Sequence, residues 1–226
     1  MSNSKNQLKM KAQTIAWCVL LSVGLAVQCK SKEDKKSTAG TIVQEAQTAE
    51  KPCTYIYNPY KTSVEWTAYK FTEKVGVKGK FENVAITPGN KTVSSPDDVL
   101  LNTVFTIGNL QINTGNPERD KKIVKYFFEP LGEIHGKITG VQKEKQLGVI
   151  QMTWNNVQKL QPFSYQVNDD TLYLKAKIDF AAWNAEKAAK DLNNACKLLH
   201  TGKDGKSVLW PEADVSVKVA FFKNCK

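Results

Sequence analysis

Histidine is scarce in this chain, with His135 and His200 the two instances among 226 residues, and Arg119 is its one arginine. Neither histidine stands in a pattern with serine and an acid that would mark an activated nucleophile. Cys196 and His200 are four apart, and both could meet one metal ion if the segment is helical. A zinc site needs three or four ligands, and no C-x-x-C or H-x-x-x-H spacing supplies the rest. The sequence therefore predicts no enzyme, no metal site and no cofactor. His135 falls on the polar face of an alternating segment and is expected in solvent. No basic block with interleaved aromatics supports nucleic-acid binding, and no repeat of solenoid length is present. The longest apolar stretch, 14–27, is too short to span a bilayer comfortably.

That stretch follows three lysines (Lys5, Lys9, Lys11) and ends at Cys29, after which comes Lys30-Ser31-Lys32-Glu33-Asp34-Lys35-Lys36. A cationic start, a short apolar region and an abrupt polar segment after a cysteine have the layout of a bacterial lipoprotein signal. The reading gives a signal over 1–28 and acyl chains on Cys29 as a stable membrane anchor. Gln28 stands where the lipobox usually has a small residue, and an ordinary secretory peptide cut nearby is the alternative. Removal of 1–28 takes three lysines and no acid from a net charge of +10, leaving +7 on a lysine-coated surface. Residues 29–52 hold little that is apolar beyond Ile42 and Val43, and are expected to form a flexible tether. The remainder, 53–226, is the size of one domain.

Beyond the anchor three cysteines remain, and an oxidising export compartment favours their pairing. A Cys53–Cys225 bridge would join the first and last strands of a closed sheet, with Cys196–Cys225 as the rival. Either choice leaves one thiol, expected to be a small buried hydrophobe.

From Cys53 onward the pattern has period two. Val75, Val77, Gly79 and Phe81 alternate with polar residues, as do Leu172, Leu174, Ala176 and Ile178, and Ala213, Val215, Val217, Val219 and Phe221. Further strands are expected near 54–58, 62–72, 99–112, 133–140, 146–155 and 161–168. Turn residues separate them at Pro88-Gly89-Asn90, Ser94-Ser95-Pro96-Asp97 and Asn168-Asp169-Asp170. Two helices interrupt the strands. One is capped by Asn116 with Pro117 first, and carries Ile123, Val124, Phe127 and Phe128 before Pro130. The second runs from about Ala181 to His200 and is rich in alanine on one face. The fold class is mainly β: an antiparallel barrel of eight or nine strands with two short helices at its ends. Such a barrel is either packed with side chains or holds one small ligand.

Three segments carry a resemblance to the YceI-like, polyisoprenoid-binding proteins of the bacterial periplasm. They are Ser63-Val64-Glu65-Trp66-Thr67-Ala68-Tyr69-Lys70-Phe71 with Val77-Lys78-Gly79-Lys80-Phe81; Asn116-Pro117-Glu118-Arg119-Asp120 through Tyr126-Phe127-Phe128; and the closing strand from Ala213 to Phe222. The resemblance implies a lipocalin-like barrel and an isoprenoid-like ligand. Many members carry histidine where this chain has Lys122 and Lys70, and lysines there would suit an anionic head group.

Val64, Trp66, Ala68 and Lys70 share one face of their strand and are the candidate lumen wall, together with Phe81, Phe105, Phe127 and Phe163. Arg119 and Asp120 are expected to form an ion pair that docks the first helix on the barrel. The expected function is an exported, lipid-anchored protein of the bacterial envelope, facing the periplasm or associated with the outer membrane. It would bind an isoprenoid, quinone or fatty acyl chain for lipid storage, transport or stress buffering. The alternative is a surface lipoprotein whose solid barrel works through its exterior. Whether two chains pair as a homodimer is left open by the sequence.

Overall fold

The computed structural model describes residues 52–108 and 111–226. The expected signal 1–28, the tether expected over 29–52 apart from Pro52, and the lipidation site Cys29 lie outside the described residues.

The alternating segments pair into a single antiparallel sheet, because each has one apolar face to bury. In chain order the strands are β1 Cys53–Lys70, β2 Val75–Phe81, β3 Ala85–Thr87, β4 Thr92–Val93, β5 Val104–Ile107, β6 Ile112–Asn113, β7 Ile134–Gln142, β8 Leu147–Trp154, β9 Val157–Asn168, β10 Thr171–Asp179 and β11 Leu209–Cys225. Their spatial order is β3-β5-β7-β8-β9-β10-β11-β1-β2-β6, with β4 paired to β1. The stretch from β7 to β11 is a meander, and the last long strand returns to the first. Among the described residues there are eleven strands rather than eight or nine, and β3, β4 and β6 are only three, two and two residues long. The sheet curls into a half-barrel, and a few helices accompany it.

Three expectations on element boundaries are corrected. Residues 62–72 do not form a strand apart from 54–58: β1 is continuous, with its register against β11 shifting between Asn58 and Ser63. The buried Asn58 accepts there from the Tyr60 amide at 3.1 Å, beside Pro59, which cannot donate to a ladder. The strand expected over 99–112 is divided. Pro96–Val99 form a 3₁₀ turn in which Asp98 Oδ2 accepts from the Ser95 amide at 3.2 Å, and Asn102 is left-handed at φ 64°. β5 then pairs with β7, whereas β6 pairs with β2, so this segment changes partner along its length.

The helix expected over 181–200 is also broken. A 3₁₀ turn at Phe180–Trp183 ends at Asn184 with φ 53°, and α2 Glu186–Ala195 and α3 Lys197–His200 follow. Asn155 Nδ2 donates to the carbonyls of Trp183 (2.8 Å) and Asn184 (3.2 Å), taking acceptors that a continuous helix would give to its own amides. The earlier helix starts as expected: Asn116 Oδ1 accepts from the Arg119 amide at 3.0 Å and Pro117 opens the helix. It runs over Pro117–Ile123 and widens into a π turn at Val124–Phe128. This helix, α1, is the Pro117 helix.

Cys53 and Cys225 face each other in the β1/β11 register and are joined as a disulfide, while Cys196 remains a buried free thiol. The Cys196–Cys225 alternative is thereby set aside. The bridge closes a loop of 172 residues at the outer end of two long paired strands. Replacing both cysteines by serine is expected to lower the unfolding free energy by about 2–5 kcal/mol in denaturant titration, with the slope also changing as the unfolded chain expands.

Candidate functional site: an apolar lumen with a cationic rim

The inner wall carries an arrangement that spacing in the sequence does not reveal. Trp66 on β1 is the cross-strand partner of Gly79 on β2, Phe105 on β5 of Gly136 on β7, and Phe163 on β9 of Gly148 on β8. In each pair the aromatic ring occupies the space that a glycine Cβ would need. The rings therefore lie against the wall, over a neighbour with no side chain, instead of projecting across the interior. A large side chain opposite would force them inward.

An open interior results. A cavity of about 420 Å³ lies within the curled sheet, inside the range of roughly 300–1,000 Å³ common for small-molecule sites. Ala68, Phe81, Phe105, Ile150, Ala176 and Val215 line it and are only half-buried although they face inward. In a filled barrel such positions would be closed over by their neighbours. The two ends are packed. At one end Phe127 meets Phe128, Trp154 and Phe180 at ring separations of 4.8–5.8 Å, in one cluster with Ala188, Ala189 and Leu192 of α2. At the other, Val99 and Leu100 pack with Phe163, Tyr165 and Leu172.

The lumen reaches solvent beside the Pro117 helix and α3, where the lining includes exposed Asn116, Glu118 and Leu199. The polar side chains there are mostly basic. Lys70 donates to the Leu199 carbonyl at 3.1 Å. Lys122 is half-buried, and its ammonium makes no hydrogen bond or ion pair among the described residues. Glu118 is held by Lys121 at 2.8 Å, which offsets its charge. His200 Nδ1 donates to Asn193 Oδ1 at 2.9 Å, an acceptor that fixes the neutral tautomer. Burial, reinforced by the Lys70 ammonium, pulls the His200 imidazole down to about 4. Burial also pushes the Cys196 thiol up, so it rests as an inert thiol in the lining.

The expected lumen residues on β1 (Val64, Trp66, Ala68 and Lys70) all line this cavity, and so do Phe81, Phe105, Phe127 and Phe163. The ion pair expected between Arg119 and Asp120 is not formed. Arg119 Nε donates to Thr114 Oγ1 at 2.8 Å and Nη2 to the Thr114 carbonyl at 2.6 Å, while Asp120 Oδ1 accepts from the Thr114 amide at 3.1 Å and from its hydroxyl. Successive residues on a helix diverge, so the two side chains do not face each other; instead both grip Thr114, from two sides. The docking is thus made through hydrogen bonds, and Arg119 also lines the mouth. His135 is exposed, beside Glu133 at 3.3 Å and Thr106 at 3.1 Å. Trp154 and His200 also line the lumen and were missed as lumen residues. Trp154 shares inward parity with Met152, which could have found it; His200 gave no such signal.

Two outcomes follow from this geometry. Gly79→Ala is expected to drive the Trp66 ring off its seat, lowering stability by about 1–3 kcal/mol and reducing lumen volume, as read by thermal unfolding and crystallography. For His200, the unfolded imidazole binds a proton near pH 6.5 whereas the folded one resists until about 4. Stability attributable to this residue is therefore lost as pH falls across that window. His200→Asn should have a flatter dependence of melting temperature on pH between 6.5 and 4 than the parent.

No protein-family model matches this chain, and no curated protein matches it. Among solved structures, the crystal structure of Burkholderia cenocepacia BcnA is similar to it at 12% sequence identity, covering 72% of this chain and 98% of that one with a TM-score of 0.49. That likeness assigns no ligand or activity to this chain.

Proposed function

We propose that this is a YceI-like, lipocalin-like protein that binds a chain-shaped apolar ligand in its lumen and holds the ligand's anionic or polar head at the lysine rim. The observation that carries the proposal is an interior whose inward apolar residues remain only half-buried. Each methylene transferred into such a space contributes about 0.8 kcal/mol, so a long chain binds without directional contacts. Specificity then comes from the mouth, where the unpaired Lys122 and the half-buried Lys70 would meet a carboxylate or phosphate. The Val77-Lys78-Gly79-Lys80-Phe81 segment supports the family reading in physical terms: Val77 and Phe81 line the lumen, and Gly79 seats Trp66.

In this reading the protein is a binder and not an enzyme. Export and a lipid anchor on Cys29 would place it in the bacterial envelope, where it would store or carry isoprenoid, quinone or fatty acyl lipids, or buffer membrane stress. A solid barrel acting through its exterior gains no support from the open lumen.

Native mass spectrometry of the protein purified from an exporting host, with organic extraction of the same sample, tests the proposal. A stoichiometric apolar chain is expected, and it should be lost in a folded Ala176→Trp variant whose added ring fills the lumen. Lys70→Glu/Lys122→Glu should weaken hexadecanoic acid binding by about tenfold or more while leaving a neutral alkane unaffected. A ligand-free mass that is unchanged after incubation with isoprenoids and fatty acids would remove the reading.

A further inference from the structure

Two adjacent leucines stand out of the surface at the lumen mouth. Leu198 is 91% exposed and Leu199 58%, both on the four-residue helix α3. The stripe of α2, with Ala188, Ala189 and Leu192 buried, would bring Leu199 back to the same buried face if the helix ran on. The chain leaves helical geometry at Cys196, with φ −113° and ψ 20°, so the stripe stops there and the leucines beyond it are left unpacked. Their backbone is nevertheless held in place. Lys70 Nζ donates to the Leu199 carbonyl at 3.1 Å, Thr201 Oγ1 to the Lys197 carbonyl at 2.7 Å, and the Val208 amide to the His200 carbonyl at 3.1 Å. Isolated exposed leucines are ordinary on a surface. This pair differs, because it is fixed by hydrogen bonds and continuous with an apolar lumen that Leu199 also lines.

Cations accompany the pair. Lys197 precedes it, and Lys203 and Lys206 are exposed on the turn closed by the Thr201–Ser207 bridge. Asp204, the one acid in 197–206, accepts from the Thr72 hydroxyl at 3.0 Å and from the Lys206 amide at 3.1 Å. The Pro117 helix brings Lys122 to the same mouth. The complement of this surface is apolar where the leucines point and anionic where the lysines lie, which describes a bilayer interface with anionic head groups. A second copy of the chain is a poor match, because a two-fold interface would set the same lysines against one another.

We propose that the α3 side of the mouth docks on a bilayer containing anionic phospholipid. Leu198 and Leu199 enter the boundary between head groups and acyl chains, the lysines meet the phosphates, and the lumen opens toward the acyl region. Cargo then passes between bilayer and lumen without crossing water. The docking surface stands on its own observations, and the transfer of cargo rests on the lumen-binding reading above.

Amide hydrogen exchange of the full protein, in solution and on vesicles of phosphatidylcholine or of phosphatidylcholine mixed with phosphatidylglycerol, tests this. An acyl anchor on Cys29 would hold the protein to either vesicle, so the readout is local to 197–206. That segment is expected to exchange about tenfold more slowly on the anionic vesicles than on the neutral ones, and the difference should shrink as salt is raised. Leu198→Ser should remove the protection. Because Leu198 is 91% exposed and does not line the lumen, the variant should fold normally and keep the parent's affinity for hexadecanoic acid in vesicle-free solution. Lys203→Glu/Lys206→Glu should act in the same way. Equal exchange of 197–206 on both vesicles, or protection that survives Leu198→Ser, overturns the docking surface. So does a dimer in sedimentation that Leu198→Ser dissociates, since a second copy would then be the occupant. Hexadecanoic acid binding without vesicle protection removes this proposal and leaves the lumen reading standing, whereas vesicle protection without hexadecanoic acid binding does the reverse.

Discussion

The seating of Trp66, Phe105 and Phe163 on the glycines of adjacent strands is the constraint from which the interior follows. Curled sheets with bulky inward residues close their own interior, because each large side chain packs against the opposite wall. Here three of the largest inward residues are laid flat. The same contact has a second effect. A glycine inside a strand is a weak point, with backbone entropy to lose and no side chain to pack, and a ring laid over it restores buried contact at that point. Wall stability and lumen volume thus depend on the same three pairs.

An open interior costs stability. Inward residues left half-buried forgo the contacts that a filled core would give them. Compensation has to come from the ends and the wall. Both ends are closed by dense aromatic and aliphatic packing, and β1 and β11 pair along most of their length with a disulfide at their outer end. Filling the lumen with an apolar chain would recover part of that deficit.

Alternation made much of this wall legible. The faces of β1, β2, β10 and β11 are set by period two, and Val64, Trp66, Ala68, Lys70 and Phe81 border the cavity by that parity, whereas Phe127 reaches it from the π turn after the Pro117 helix. The Asn116 cap was legible because a side-chain acceptor followed by proline is a local signal. The Cys53–Cys225 pairing followed from the expectation that first and last strands meet. What remained hidden depends on partners distant in the chain. Asn155 breaks the helix expected over 181–200 from almost thirty residues away, and the change of partner between β5 and β6 is a property of the curled sheet, not of its local sequence. The ring-over-glycine pairs needed the inter-strand register, which alternation does not give. Arg119 and Asp120 misled for a different reason: adjacency in sequence suggests a pair, whereas a helix turns adjacent side chains apart.

The mouth lies beside a sheet edge that is only partly paired, and the two facts belong together. β2 is paired along its length with β1, but on its other edge only Lys80 and Phe81 pair, with β6. Val75–Gly79 are thus left with an open edge among the described residues, the kind of edge that invites pairing with another chain. Lysines on the strand, Lys78 and Lys80, oppose such pairing by charge. Closing this edge with a further long strand would seal the wall at the level of Val77, a lumen residue, whereas the Pro117 helix places Arg119, Lys122 and Ile123 around the same cavity without sealing it. The Thr114 clamp explains how a helix of seven residues can hold that position, since Arg119 and Asp120 both fasten its first turn to the chain just after β6. An incomplete edge, guarded by lysines and bordered by a pinned helix, gives the lumen an entrance on this side of the sheet.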